Sequence, residues 1–131
     1  MADVDEAIDF LRYYSYQMRK NKGYAMDMSS PYPNERPKDL LKPYGVWGVI
    51  SPFNFPWAIM AGMSIGAMLT GNTIVVKPSS DAPWPALAMA KILEESSLPP
   101  GVFNVVTGPG GTTGKELVEN TAISGIVFTG S

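Results

Sequence analysis

The chain has 131 residues, which is enough for one domain with a hydrophobic core. Its 10 basic and 12 acidic side chains give a formal net charge of −2. No basic run stands out, which argues against nucleic acid as a partner. The chain contains neither cysteine nor histidine. The 131 residues therefore provide no disulfide bond, no thiol nucleophile, no histidine base and no histidine-rich metal site, and we expect no bound metal.

Neither the N-terminal residues nor the most apolar stretch of the sequence indicates a membrane protein. The first ten residues, MADVDEAIDF, are acidic and amphipathic, unlike a secretory signal peptide, which predicts a cytoplasmic protein. The most apolar stretch is PWAIMAGMSIGAMLTG at 56–71. It is shorter than the ~20 apolar residues that a membrane-spanning helix needs. We therefore predict a buried helix at this position and no membrane partner.

The N-terminal third predicts a helix followed by a connector. Apolar side chains recur at helical spacing through residues 1–23, and Asp3 with Glu6 has the spacing of a capping pair. Residues 24–43 are polar and rich in proline, which is typical of a connector. Within this segment the alternating stretch YAMDM could form a short edge strand.

From residue 44 onward, apolar strands alternate with helices, which predicts an α/β fold with a parallel sheet and flanking helices on both faces. The predicted elements are strands at 45–51, 73–78, 101–108 and 125–131 and helices at 56–70, 82–97 and 112–121. In such sheets ligands bind beyond the carboxyl ends of the strands. The candidate site therefore comprises the stretches 51–55, 77–81, 107–114 and 129–131.

The first of these stretches, SPFNFPW at 51–57, sets one amide between two phenylalanines and two prolines. A buried amide costs free energy unless something hydrogen-bonds to it. Asn54 could cap the following helix, with Pro56 in its first turn. Alternatively, its NH2 donors are kept for a ligand.

The second stretch, VKPSSD at 76–81, places a lysine at a strand end. Lys77 could bind a phosphate or a ribose hydroxyl, but it could equally extend to solvent from the edge of the sheet. Ser79 and Ser80 also suit a turn or a helix cap.

The other two stretches are rich in glycine and hydroxyl groups. TGPGGTTG at 107–114 follows a strand and opens a helix, where backbone N–H groups attract anions. It departs from the G-x-G-x-x-G fingerprint, so a plain tight turn is an equal explanation. FTGS at 128–131 suits a phosphate, although any strand-to-helix turn would look similar.

These stretches occur together and in order, and together they resemble the aldehyde dehydrogenase superfamily. KPYGVWGVISPFNFPW, GNTIVVKPSSDAP, LPPGVFNVVTG and FTGS look like successive signature stretches of its cofactor-binding domain. EAIDFLRYYSYQM, with the NE at 34–35, looks most like the branch that contains 1-pyrroline-5-carboxylate dehydrogenases. The resemblance implies that residues 44–131 form part of a Rossmann-like NAD(P)-binding domain, and that 24–43 is a connector or an oligomerisation-strand segment.

The resemblance also implies an activity. The family oxidises aldehydes to acids with NAD or NADP: a cysteine thiolate attacks the aldehyde, hydride passes to the nicotinamide, and water releases the acid. The substrate implied here is glutamate semialdehyde or 1-pyrroline-5-carboxylate. Asn54 matches the family asparagine whose NH2 helps to hold the oxyanion. The positions that match cofactor-binding residues are Ile50, Ser51, Pro52, Phe53, Lys77, Ser79, Ser80, Gly110, Gly114, Gly130 and Ser131.

Two of these matches carry specific roles. Lys77 matches the lysine that contacts the adenosine ribose. Ser80 falls where many NAD-preferring members carry a glutamate to the ribose hydroxyls. A serine removes that charge and should leave room for a 2′-phosphate, so tolerance of NADP is expected.

The chain also departs from the family. The family's cysteine nucleophile and glutamate base lie beyond the FTGS stretch, and these residues include no cysteine. We therefore expect this chain alone to be an inactive fragment of a dehydrogenase that acts as a homo-oligomer. The alternatives are a non-catalytic adenine-nucleotide-binding module and a structural remnant without a ligand.

Overall fold

A computed structural model of the chain describes residues 2–130. The helices and strands are α1 (Ala2–Lys20), β1 (Ala25–Asp27), β2 (Lys38–Leu40), β3 (Val46–Ile50), α2 (Ala58–Leu69), β4 (Thr73–Lys77), α3 (Trp84–Glu95), β5 (Phe103–Val105), α4 (Lys115–Glu119) and β6 (Gly125–Phe128). A 3₁₀ turn (Lys22–Tyr24) follows α1, and a π-helical turn (Gly110–Gly114) leads into α4.

The main sheet has four parallel strands in the order β5-β4-β3-β6. This confirms the predicted α/β fold with a parallel sheet, flanking helices and an N-terminal helix. The chain steps from β3 to β4 to β5 on one side and then returns to place β6 beside β3. As a result β3 and β4 are central strands, each paired on both edges.

The two faces of the sheet are covered by different helices, because side chains alternate along each strand. On one face Val49, Ile74 and Val76 are fully buried in a cluster that includes residues of α2 and α3, among them Met60 and Met89. On the opposite face Leu117 of α4 packs over the central strand, 3.2 Å from where a Cβ on the buried Gly48 would lie. The hydrophobic core therefore lies mainly between the sheet and α2–α3.

The N-terminal helix packs directly on α2. The ring of Phe10 lies 3.1 Å from the position that a Cβ on Gly62 would occupy, so the glycine allows the close approach. The predicted capping pair is wrong, because α1 already begins at Ala2. Asp3 lies within the helix and its carboxylate hydrogen-bonds to α2 instead.

The connector and the third crossover differ from the predicted elements in detail. The predicted edge strand is confirmed as β1, which pairs antiparallel with β2 as an exposed two-stranded ribbon. The predicted helix at 112–121 is replaced by the π-helical turn and the short α4, because the backbone from Gly110 coils more widely before it becomes α-helical. Within residues 2–130, no helix has both the length and the apolar character to cross a membrane.

Contact between Trp47 and Gly125 fixes the register of β3 against β6, and replacing this glycine should weaken the fold. A Cβ on Gly125 would lie 2.9 Å from two indole carbons of Trp47, and a rigid ring cannot bend away. We expect Gly125→Ala to lower the free energy of unfolding by about 1–3 kcal/mol in urea denaturation. Gly66→Ala is the matched control, because a Cβ there meets open space. It should be neutral or stabilising by up to about 1 kcal/mol. Equal losses in both variants would contradict this account of the register.

Candidate functional site

One cavity of about 1060 Å³ opens beyond the carboxyl ends of β3, β4 and β6. We call it the cleft. It brings together the sequence-predicted site residues that the structure describes: Ile50, Ser51, Pro52, Phe53, Asn54, Lys77, Ser79, Ser80, Gly110, Gly114 and Gly130. The remaining predicted residue, Ser131, lies outside the described residues. The cleft therefore draws on all four stretches that follow the strands.

Strand register explains why these stretches meet. Ile50 is opposite Lys77 of β4 on one side and opposite Phe128 of β6 on the other. The ladder continues past the strands: the Ser51 N–H donates to the Lys77 carbonyl at 3.2 Å, and the Thr129 N–H donates to the Ile50 carbonyl at 3.2 Å. The chain segments that follow β3, β4 and β6 therefore leave the sheet next to one another, at the same height along the strands.

Lys77 is the most constrained polar side chain in the cleft. It lies at the end of a central strand and is 5% exposed, so the interpretation that it extends to solvent from a sheet edge is wrong. Its ammonium donates to the Pro78 carbonyl at 2.9 Å and forms no ion pair within residues 2–130. Burying an ammonium without a carboxylate costs free energy. The group keeps further N–H donors for a ligand.

The last glycine of the π-helical turn makes room for this lysine. A Cβ on the buried Gly114 would lie 3.3 Å from Cε of Lys77, so a larger residue would press on the lysine stem. A Cβ on Gly110 would meet nothing within 4 Å. The stretch is a helical entry rather than a plain tight turn, and its backbone leaves space that a ligand could approach closely.

The serines of the cleft differ in what they contact. The Ser79 hydroxyl accepts a hydrogen bond from the Asp81 N–H at 3.3 Å, which is the turn role that its position allowed. The Ser80 hydroxyl donates to the Gly108 carbonyl at 3.1 Å and ties the second stretch to the third. Ser51 is 3% exposed, and its hydroxyl has no hydrogen-bond partner in the described part of the chain.

Asn54 does not cap α2, so that alternative is wrong. The residue before the helix is Trp57, which makes no side-chain cap. The carboxylate of Asp3 takes that place: it accepts from the Trp57 N–H at 3.1 Å and from the Ala58 N–H at 2.8 Å. Asn54 is exposed at the cleft, and between residues 2 and 130 its side chain has no hydrogen-bond partner. Its amide is therefore available to a ligand.

Several lining residues were not predicted from the sequence. Those outside the four candidate stretches are Lys115, Val118, Glu119 and Ile126, whereas Asp81, Thr129 and Phe128 at the start of FTGS lie within these stretches but were assigned no role. Lys115 and Glu119 form an exposed ion pair at 3.9 Å, which their i,i+4 spacing could have indicated. Alternation along the last strand could have placed Ile126 and Phe128 on the face that the cleft uses.

Comparison with known proteins identifies the family. The family model described as "Aldehyde dehydrogenase family" matches residues 1–131. The chain belongs to the aldehyde dehydrogenase family. It is 47% identical over 130 residues to a 1-pyrroline-5-carboxylate dehydrogenase of Geobacillus thermodenitrificans (strain NG80-2), and this match covers 99% of the chain and 25% of the relative. The chain thus spans about a quarter of the length of the curated relatives that it matches.

Solved structures of other proteins share the fold. A variant of proline utilization A from Bradyrhizobium japonicum superposes with a TM-score of 0.93 at 37% identity, over 100% of the chain and 13% of that protein. Betaine aldehyde dehydrogenase from Staphylococcus aureus, solved in complex with NAD+, gives a TM-score of 0.86 at 28% identity. That match covers 99% of the chain and 26% of the enzyme.

The buried ammonium of Lys77 should cost stability, and an apolar side chain of similar length should relieve that cost. We expect Lys77→Met to leave the free energy of unfolding unchanged or to raise it by about 1 kcal/mol. The control is Lys91→Met on the exposed side of α3, which should change it by less than about 0.5 kcal/mol. Chemical denaturation of the three proteins checks this. A large loss of stability in Lys77→Met alone would mean that the lysine serves the fold rather than the cleft.

Proposed function

We propose that residues 1–131 supply part of the NAD(P)-binding domain of an aldehyde dehydrogenase, and that residues 44–131 are the portion that forms the cofactor site. The observation that carries the proposal is the cleft, in which a buried ammonium that forms no ion pair with residues 2–130 lies beside glycines at the carboxyl ends of parallel strands. This is where ligands bind in open α/β sheets. Because this cleft occurs in a chain of the aldehyde dehydrogenase family, we favour a cofactor-binding domain over a structural remnant without a ligand.

The cleft residues fit a dinucleotide. The Lys77 ammonium has donors left for ribose hydroxyls, while Gly110 and Gly114 let the cofactor approach the backbone. Phe53 is 62% exposed and Phe128 is 56% exposed, so both rings offer apolar surface in the cleft. NAD or NADP, when bound, would accept the hydride from the substrate. The relative solved in complex with NAD+ supports this choice of ligand class.

We assign Asn54 the role of an oxyanion donor. Its NH2, which has no hydrogen-bond partner in the described part of the chain, would hydrogen-bond to the oxygen of the aldehyde as negative charge develops there. Such a donor acts only when a nucleophile attacks the carbonyl carbon. These 131 residues contain no cysteine, so the nucleophile would come from outside them, and the chain alone should oxidise no aldehyde.

The substrate that we propose is glutamate semialdehyde, or its cyclic form 1-pyrroline-5-carboxylate. Support comes from relatives of 45–47% identity that carry the name 1-pyrroline-5-carboxylate dehydrogenase, and from the likeness to proline utilization A. We also propose that the enzyme is a homo-oligomer. The exposed ribbon β1–β2, with Met26 at 60% and Leu40 at 48% exposure, would contribute to its interface. A cytoplasmic location remains a prediction.

Titration of the protein with NAD and NADP tests the cofactor proposal. We expect saturable binding of both by isothermal calorimetry, and no NADH formation from an aldehyde. Lys77→Met should weaken binding about tenfold or more, because a hydrogen bond from a charged donor is lost. Lys91→Met should bind as the unsubstituted protein does. Folded protein that binds neither dinucleotide would overturn the proposal, and equal weakening in both variants would overturn the role of Lys77.

Ser80 should set the tolerance of NADP. We expect comparable affinities for NAD and NADP in the unsubstituted protein. In Ser80→Glu the new carboxylate would repel a 2′-phosphate and accept hydrogen bonds from the ribose hydroxyls of NAD. NADP affinity should fall about tenfold or more while NAD affinity is kept. Ser29→Glu adds the same charge in the exposed connector and should change neither affinity. A strict NAD preference before substitution would contradict this account.

A further inference from the structure

We propose that Asp3 is a positioning residue for Asn54, acting through the N-terminus of α2. The inference rests on the function proposed above, in which Asn54 is the oxyanion donor. It assigns a catalytic consequence to the first turn of α1, which lies outside the cleft. The evidence is the hydrogen bonding between two helices that are more than fifty residues apart in sequence.

The carboxylate of Asp3 accepts hydrogen bonds from two consecutive backbone amides. Its Oδ2 accepts from the Trp57 N–H at 3.1 Å, and its Oδ1 accepts from the Ala58 N–H at 2.8 Å. α2 has no side-chain cap of its own and no acidic residue in its first turn. The negative charge also meets the positive end of the helix dipole. Asp3 therefore does for α2 what a local N-cap residue does in most helices.

The backbone just before α2, which these hydrogen bonds stabilise, is strained. Phe55, directly after Asn54, has φ of 60°, a region that residues with a side chain rarely adopt. Such a conformation persists only where the surroundings hold it. The Ile59 N–H donates to the Phe55 carbonyl at 3.1 Å, so the strained residue is itself tied to the first turn of α2. If that turn frays, the backbone beside Asn54 loses its support.

Packing between α1 and α2 holds the carboxylate in place. Asp3, Ala7 and Phe10 follow one another at helical spacing, so they share one face of α1. Ala7 is 3% exposed, and Phe10 lies against Gly62 of α2. The same face that packs on α2 thus delivers the carboxylate to its N-terminus.

This arrangement predicts a selective kinetic defect. Most groups assigned to the cofactor are held independently of Asp3. Lys77 and the turn at Gly110–Gly114 follow other strands and form no hydrogen bond to Asp3 within residues 2–130, and Ser51, which precedes Asn54, is held by its N–H bond to the Lys77 carbonyl. Loss of the carboxylate should therefore lower kcat and leave the KM for NAD within about twofold. A smaller folded fraction would also lower the apparent kcat at unchanged KM, so the two causes are separated by the double-mutant cycle, in which an independent loss would multiply with that of Asn54→Ala.

The test is a double-mutant cycle in the dehydrogenase that contains these residues. Asn54→Ala should lower kcat by about 10²–10³. Asp3→Ala should lower it by about tenfold or more, because a displaced donor is a poor one. The double variant should be no slower than Asn54→Ala alone, because Asp3 acts only through that amide. Asp3→Asn keeps an acceptor oxygen and should restore part of the rate. Asp5→Ala, exposed on the same turn, should match the unsubstituted enzyme.

The outcomes separate this inference from the function beneath it. Unchanged kcat in Asn54→Ala would overturn the oxyanion role itself. A normal rate in Asp3→Ala, or losses that multiply in the double variant, would overturn the positioning role and leave the function intact. If Asp3→Ala does not fold, Asp3→Asn carries the cycle under the same criteria. Hydrogen exchange at the Trp57 and Ala58 amides should quicken in the Asp3 variants and stay unchanged in Asp5→Ala; unchanged exchange in both would also overturn the inference.

Discussion

Two-sided pairing of β3 is the constraint on which the site depends. β3 is bonded in parallel to β4 on one edge and to β6 on the other, although β6 follows it by some 75 residues in the chain. Parallel pairing sends all three strands out of the sheet in the same direction. Only then can the loop that carries Asn54, the end of β4 with Lys77 and the turn after β6 share one cavity. A shift of one residue in register would turn these side chains to the opposite face.

Several features of the cleft lower the stability of the folded chain. Within residues 2–130, Lys77 is buried without a carboxylate partner and the Ser51 hydroxyl is buried without a hydrogen-bond partner, and Phe55 is held at positive φ. Each of these features costs free energy in a folded chain without ligand. They lie together at one end of the sheet, whereas the buried Asn72 at the opposite end is satisfied: it accepts from the Tyr44 and Gly45 amides and donates to the Ala67 carbonyl. Among the described residues, unmet buried groups also occur away from the cleft, at Trp47 Nε1 and Ser64 Oγ, so what distinguishes the cleft is a buried ammonium beside open space that a ligand could fill.

Much of the fold could be predicted from the sequence because its signals are local. Apolar strands alternating with helices from residue 44 sufficed for the parallel sheet, and the position of four stretches after strands sufficed to place them together. The extent of the helix at 112–121 and the burial of Lys77 on a central strand could not be predicted in this way. Whether a strand is central or at an edge depends on which strands pair with it. β4 is central because β5 pairs with its second edge, and that pairing leaves no signal in the residues around Lys77. The residue-level roles in the cleft came from resemblance, and they remain predictions.

The exchange of caps between Asp3 and Asn54 shows most clearly why local patterns were insufficient. Both residues had a plausible local role, Asp3 at the start of α1 and Asn54 at the start of α2. In the structure neither residue caps its local helix: Asp3 caps α2 across the helix–helix contact, and the Asn54 side chain has no hydrogen-bond partner among residues 2–130. These two facts have one cause. Because a distant carboxylate satisfies the first N–H groups of α2, the amide that could have done so is free to face the cleft. An external cap thus makes a donor available at a helix start without leaving the helix itself uncapped.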